Sequence, residues 1–282
     1  MSKTIVEWRP VAAEAEQSDG GPWTARLAGL ARDALRGPFA IVISFVLALA
    51  VWQALSTWVI NPYMIPPPTV VFETAIPMFA SGEILGSVGI SLVRVLVGFF
   101  MGSAVGIVLG ILMGRLEMVN RLLDPIIELM RYLSPTAMIP IAVIWFGIGE
   151  TSKYFLIFWG CFVFVLINTA AGVVRVPVGR ERAARCLGAS GLGIVLKVVL
   201  PSALPDIITG MRLAMATSLM AIVPAEMLAA DSGLGYLLQT SGMLAQTNRI
   251  FVALVTISVL GFILDFVFRL IVRKTLGRYM MV

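Results

Sequence analysis

The sequence predicts an all-α protein, a polytopic transmembrane helix bundle of about six spans. Three observations carry this reading. Of the 282 residues, 59% are hydrophobic and only 13% charged, with a mean hydropathy of +0.95, which is more apolar surface than a soluble core of this size can hide. The apolar residues are gathered into runs of about 20 or more, the length that a helix rising about 1.5 Å per residue needs to cross about 30 Å of hydrocarbon. The basic residues flank those runs, as charges that set topology in a bilayer do.

The same composition removes several function classes. There is no histidine, and the only cysteines are Cys161 and Cys186. Histidine general bases, zinc clusters and a disulfide framework are therefore not expected. No Gly-x-x-x-x-Gly-Lys-Ser/Thr loop occurs, so the chain is expected to bind neither ATP nor another cofactor or metal by itself. Without a Gly-x-Ser-x-Gly elbow or a triad histidine, a membrane-embedded hydrolase is disfavoured. The net charge of +5 is not focused into a basic face with interleaved aromatics, so nucleic acid is not an expected partner.

Residues 1–37 are polar and carry Lys3, Arg9, Arg26, Arg32 and Arg36, the pattern of a cytoplasmic N-terminal tail. The apolar run 38–60 is the first transmembrane helix; it is too long for a signal-peptide core and no small-residue cleavage site closes it. Five further spans are predicted at 91–114, 126–148, 154–174, 208–229 and 250–272, followed by a short tail at 273–282. Pro135 and Pro140 interrupt the third span, and Arg212, Pro224 and Glu226 the fifth, so five spans are the fallback count. With the N-terminus inside, the cytoplasmic segments hold the tail residues above, Arg115, Arg121, Arg175, Arg180, Arg182, Arg185, Lys197, Arg273, Lys274 and Arg278, whereas Lys153 and Arg249 fall outside. Both termini are thus expected in the cytoplasm. Two outer connections, 61–90 with its Pro66-Pro67-Pro68 start and 231–249 with Gly233 and Gly235, exceed simple turns. Short amphipathic helices and plain solvated loops both fit them.

Within the second span, Gly98, Gly102, Gly106, Gly110 and Gly114 recur every four residues, a face without side chains against which another helix can pack closely. Phe99 is expected on the lipid side. Ionisable residues in or beside spans are costly unless paired or wet. Glu128 with Arg131 and Asp265 with Arg269 have helical spacing for pairing, while Arg94 and Glu226 have no partner on their own helix. Met138, Met220 and Glu226 are the candidate pathway or gate residues, Met for its flexible, polarizable side chain; core filling by the methionines and packing by Glu226 fit the same positions.

The most informative polar segment is 177–205. A charged helical stretch, 179–187, contains Glu181, Arg182, Ala183 and Ala184, and Gly188 stands where helices commonly end in a left-handed residue. A second helical stretch, 191–200, is expected to stop at Pro201. An amphipathic hairpin on the membrane surface would also fit this pattern.

The spacing Ala183-Ala184, three residues, Gly188, nine residues, Val198, one residue, then Leu200-Pro201 resembles the EAA loop of binding-protein-dependent ABC importer permeases. Leu123-Asp124-Pro125-Ile126-Ile127-Glu128 through Pro140, Val143-Ile144-Trp145-Phe146-Gly147-Ile148-Gly149-Glu150, Leu187-Gly188-Ala189-Ser190 and Leu200-Pro201-Ser202-Ala203-Leu204-Pro205 are similar to the nitrate, sulfonate and taurine branch. The likeness runs from residue 61 to the C-terminus. It implies the type I importer permease fold in a bacterial inner membrane. It also implies a second permease copy, two cytosolic ATPases that bind ATP and Mg, and an external substrate-binding protein. Glu181, Arg182, Ala183, Ala184, Gly188, Leu200 and Pro201 would then couple the permease to the ATPase. The family's leading glutamate falls at Arg182, with Glu181 one place earlier, which displaces the carboxylate by about 100° around a helix. A stand-alone secondary transporter or channel is the rival reading; it would want paired inverted halves, and no convincing internal repeat is found.

Overall fold

The computed structural model describes residues 38–276. The tail 1–37 and the residues beyond 276, Arg278 included, lie outside them. Among the described residues the chain is helical throughout, in two compact units divided after Pro62. The first unit holds α1 (Pro38–Ala54), which runs into a π turn, Leu55–Val59, closed by the Ile60 amide on the Leu55 carbonyl at 2.9 Å. From Val42 on, its apolar side chains are almost all exposed.

The second unit begins with α2 (Pro68–Ala80) and α3 (Glu83–Arg115). The connection predicted at 61–90 therefore contains one short helix and the first turns of a long one. The glycine face of α3 packs along α6 (Glu150–Val174). A methyl group placed on Gly98 would stand 2.5 Å from Ile157 Cβ, on Gly102 2.8 Å from Cys161 Cβ, on Gly110 2.6 Å from Thr169 Cβ and on Gly114 2.6 Å from Val173 Cβ; on Gly106 it would stand 2.9 Å from the Phe162 carbonyl. Both partners advance by four residues per contact, so the two helices run parallel with their backbones in close approach. Phe99, expected toward lipid, is instead fully buried. It neighbours the glycines on the packed face and joins Val95, Ile157 and Val165 in the core, edge-on to Phe268.

Parallel packing fixes what the intervening chain must do. To pass from Arg115 at the end of α3 to Glu150 at the start of α6, the chain has to climb back along a 25-residue helix, about 37 Å at about 1.5 Å per residue. The return is made by α4 (Glu117–Arg131), a 3-10 turn (Pro135–Met138) and α5 (Ile139–Phe146), bent by 95° at the break. Ser134 takes the extended conformation that a following proline requires, and its hydroxyl accepts from the Thr136 amide at 3.3 Å. Among the described residues, five helices are long and apolar enough to cross a membrane, and the third predicted span is a bent pair that meets the same length and composition together.

Beyond α6, a short α7 (Val178–Cys186) and α8 (Gly191–Ile194) lead through a π turn, Val195–Val199, into α9 (Leu200–Ala229). Pro201 does not end this helix as expected. The Leu200 amide bonds to the Val195 carbonyl, five residues back, and Pro201, next in line, has no N–H to place. The wide turn absorbs the proline and the helical run continues. On α9, Gly210 and Asp206 oppose Asn168 and Gly172 of α6, so these two helices are antiparallel. The connection at 231–249 holds α10 (Leu234–Met243), and α11 (Thr247–Leu276) closes the unit.

Candidate functional sites at the two ends of the bundle

At the end where α3 and α6 begin and α9 finishes, four charged side chains form one cluster. Glu226, near the end of α9, has 0% exposure and accepts from Arg94 Nη1 at 2.8 Å, from Ser91 Oγ at 2.9 Å and from the Gly235 amide at 2.8 Å. Arg94 also donates Nε and Nη2 to the two oxygens of Glu150, each at 2.6 Å, and Nη1 to the Ser232 carbonyl at 2.7 Å. Lys153 completes the set on Glu150 at 2.8 Å. Two carboxylates and two cations make the cluster neutral, the condition under which charges are tolerated away from water. Gly233, at φ 113°, leaves the carboxylate its room: a methyl group there would meet a Glu226 oxygen at 2.4 Å, and one on Gly235 would meet the Val223 carbonyl at 2.5 Å. The cluster ties α3, α6 and α9 to the chain entering α10. At the same end Arg249 pairs with Glu83, joining the starts of α11 and α3.

The opposite end carries α7 and α8. α7 has no buried residue, while Ala184 and Ala189 rest against a core of Val173, Val176, Ile194 and Val199. The helix closes with the Ala189 amide on the Ala184 carbonyl at 3.0 Å and the Gly188 amide on the Arg185 carbonyl at 2.9 Å, with Gly188 at φ 81°. This paired closure is the Schellman arrangement, and the left-handed residue it needs is the expected glycine. Ser190 caps the next turn through the Gly193 amide at 3.2 Å. Arg182, Ala183 and Cys186 face outward, as does Leu187 at 88% exposure. Glu181 turns inward onto Arg115 at the end of α3, so the carboxylate displaced by one residue anchors the segment and Arg182 takes the outward place. Leu200 and Pro201 lie at the root of the segment, partly buried in α9.

The chain from 106 to 277 matches the family model of the binding-protein-dependent transport system inner membrane component. The chain belongs to this family. Among curated relatives, a putative ABC transporter permease protein of Methanocaldococcus jannaschii is 40% identical over 224 residues, 78% of this chain and 84% of the relative. The taurine transport system permease protein TauC of Escherichia coli K12 is 38% identical, covering 80% and 84%. The nitrate import permease protein NrtB of Synechococcus elongatus is 31% identical, covering 79% and 85%. An inward-facing structure of the MetNI methionine ABC transporter superposes with a TM-score of 0.61 at 23% identity, covering 71% of this chain and 98% of that one, and shows the same fold. The permease is accordingly a membrane transport subunit of an ABC importer, not an enzyme, and ATP hydrolysis belongs to a separate subunit.

The three pathway candidates are not brought together in this permease. Met138 is buried among Ile139, Ala142, Leu156 and Ala225; Glu226 is locked in the charged cluster; Met220, 75% exposed, faces a groove between α9 and α11. Glu128 and Arg131 pair at 3.4 Å as spaced. Asp265 and Arg269 pair at 2.9 Å, but Asp265 also receives Arg212 Nε at 2.9 Å, a cross-helix partner that spacing along one helix cannot reveal. The links from Arg94 to Glu226 and from Arg115 to Glu181 are likewise cross-helix and were missed for that reason.

Proposed function

We propose that this permease works as one of two copies in an inner-membrane importer for a small oxyanion-bearing solute, driven by two cytosolic ATPases and loaded by an external binding protein. Permeases named for taurine, aliphatic sulfonates and nitrate stand among its relatives and support the solute class. The end bearing α7 is assigned to the cytoplasm, in keeping with Arg175, Arg180, Arg182, Arg185 and Lys197 gathered there, and both termini follow.

The observation that carries the coupling role is the helix, left-handed glycine and helix at 178–194, with Ala183 and Leu187 outward on a base held by Ala184 and Glu181. Small and apolar groups presented on a fixed turn, at a polar end of the bundle, suit insertion into a cleft of a partner subunit. Glu181, Arg182, Ala183, Ala184, Gly188, Leu200 and Pro201 are the residues assigned to it, and ATP with Mg is placed on the partner. Cys186 is exposed and Cys161 buried, so a maleimide reads this surface alone. The expected result is that a partner ABC ATPase produced together with the permease co-purifies with it and slows labelling of Cys186. Co-purification with an unchanged labelling rate would move the docking surface elsewhere; no ATPase in the complex would remove the coupling role from this segment.

A further inference from the structure

The groove between α9 and α11 joins three properties at one place. It is an open cleft of about 620 Å³, room for a small organic molecule. Its walls are mainly apolar, Leu213, Leu219, Met220 and Ile257 among them, with Arg212 and Asp265 at one side. Arg212 follows Gly210, which opposes Asn168 in the interior of α6, so the pair lies within the spans and not at their ends. Charge at such depth must be paired or wet.

The pairing is unequal. The single carboxylate of Asp265 meets two guanidinium groups, Arg212 at 2.9 Å and Arg269 at 2.9 Å, and Arg273 follows one turn along α11. The trio of Arg212, Asp265 and Arg269 therefore carries one positive charge in excess. Arg212 remains 53% exposed even with Asp265 beside it. It reaches Asp265 through Nε and Nη2, and its Nη1 makes no hydrogen bond among the described residues.

We infer that this groove is an anion site of the permease, in which Arg212 holds one oxyanion group of a small solute against an apolar wall and Asp265 positions the guanidinium. The planar fork of an arginine matches two oxygens of a sulfonate or nitrate. The excess charge supplies the counter-ion preference, and Leu213, Met220 and Ile257 accept a short alkyl body. Thr209 and Ser258 donate their hydroxyls to carbonyls of their own helices, so the guanidinium is the donor that selects the anion. The solute class rests on the importer reading above; the site itself does not.

Arg212→Gln leaves Asp265 and Arg269 as a one-to-one pair, so the variant keeps a neutral interior and is expected to fold. The probe is sodium ethanesulfonate, added to the detergent-purified full-length permease and compared with sodium chloride at equal ionic strength. The sulfonate should raise the unfolding temperature of the wild type and leave Arg212→Gln unmoved, with Arg212→Lys between them. An equal rise in wild type and Arg212→Gln, or no sulfonate-specific rise in the wild type, would overturn the inference, as would a change confined to the oligomeric state, which would make Arg212 a contact between copies. With the ATPase and binding protein in proteoliposomes, Arg212→Gln should lower ethanesulfonate uptake by about tenfold to a hundredfold, the size expected for losing a charge-assisted hydrogen bond, while ATPase co-purification is unchanged. Undiminished uptake beside normal co-purification would reject the site and leave the importer reading intact. If no ATPase co-purifies, the proposed assembly fails while the binding measurement still judges the groove.

Discussion

Arg94 and Glu226, 132 residues apart in the chain, meet at 2.8 Å in the interior of the bundle, and the arginine holds Glu150 with its remaining nitrogens. The contact makes Arg94 the shared member of two ion pairs, so the two partners do not respond alike to substitution. Glu226→Gln keeps an acceptor for Ser91 and the Gly235 amide and leaves Arg94 on Glu150. Arg94→Met strands a carboxylate with 0% exposure, at a cost of about 3–5 kcal/mol by analogy with other broken buried pairs. Thermal unfolding of the detergent-solubilised protein should rank wild type above Glu226→Gln and Glu226→Gln well above Arg94→Met. The reverse order would mean that the cluster is held by something other than Arg94.

Gly106 has room for a hydrogen atom only, since a methyl group there would stand 2.9 Å from the Phe162 carbonyl and 3.0 Å from Val165 Cβ. Backbone cannot step aside cheaply, so Gly106→Leu should force α3 and α6 apart and abolish recovery of a monodisperse protein. The matched control is Phe100→Leu on the exposed face of α3, whose yield should stay near wild type. Similar size-exclusion profiles for the two variants would show that the glycine face is not what holds these helices together.

Gly188 separates backbone conformation from crowding. Its φ is 81° and no atom beyond its chain neighbours lies within 4 Å of where a methyl group would be, so the effect of substitution comes chiefly through the left-handed conformation, about 1–2 kcal/mol for an ordinary residue. Asparagine tolerates that region better than most residues and valine resists it. Binding-protein-stimulated ATP hydrolysis should therefore fall slightly in Gly188→Asn and severely in Gly188→Val, with membrane insertion normal in both. Equal activity in all three proteins would remove the coupling role from this turn.

The orientation assigned from the basic residues can be read with the native thiol. A membrane-impermeant maleimide should label Cys186 in inside-out vesicles and spare it in intact spheroplasts, because Cys161 is buried and gives no background. Labelling of spheroplasts alone would invert the topology.

What the sequence revealed and what it hid follow from the range of the interactions. The glycine stripe, the left-handed Gly188 and the break at Pro135 are local signals, each set by the backbone of a few consecutive residues, and each is present in the fold. Phe99 was misplaced because α3 is packed on more than its glycine stripe: about 100° around the helix from Gly98 a second face is covered too, where Phe99 meets Phe268 of α11. Pro201 was read as a stop because proline removes one hydrogen bond from an α-helix, whereas a π turn at Val195–Val199 leaves no bond there to lose. The partners of Glu226 and Glu181, and the second partner of Asp265, Arg212, lie on other helices, and no periodicity within one helix points to them. The family resemblance located the coupling segment. It did not foretell that Glu181, shifted by one place, would turn to Arg115.

The absorbed proline also gives the bundle a lever. Because the helical run is not cut at Pro201, it extends from Gly191 beside the polar turn to Leu228 beside the charged cluster, 38 residues, or about 57 Å at about 1.5 Å per residue. Pro205 and Pro224 lie inside this run without ending it, and Gly210 lets it approach Asn168 more closely than a methyl group would allow. A displacement of the turn at Gly188 would therefore be carried toward Glu226 along one continuous helix, with no loop between them to absorb it.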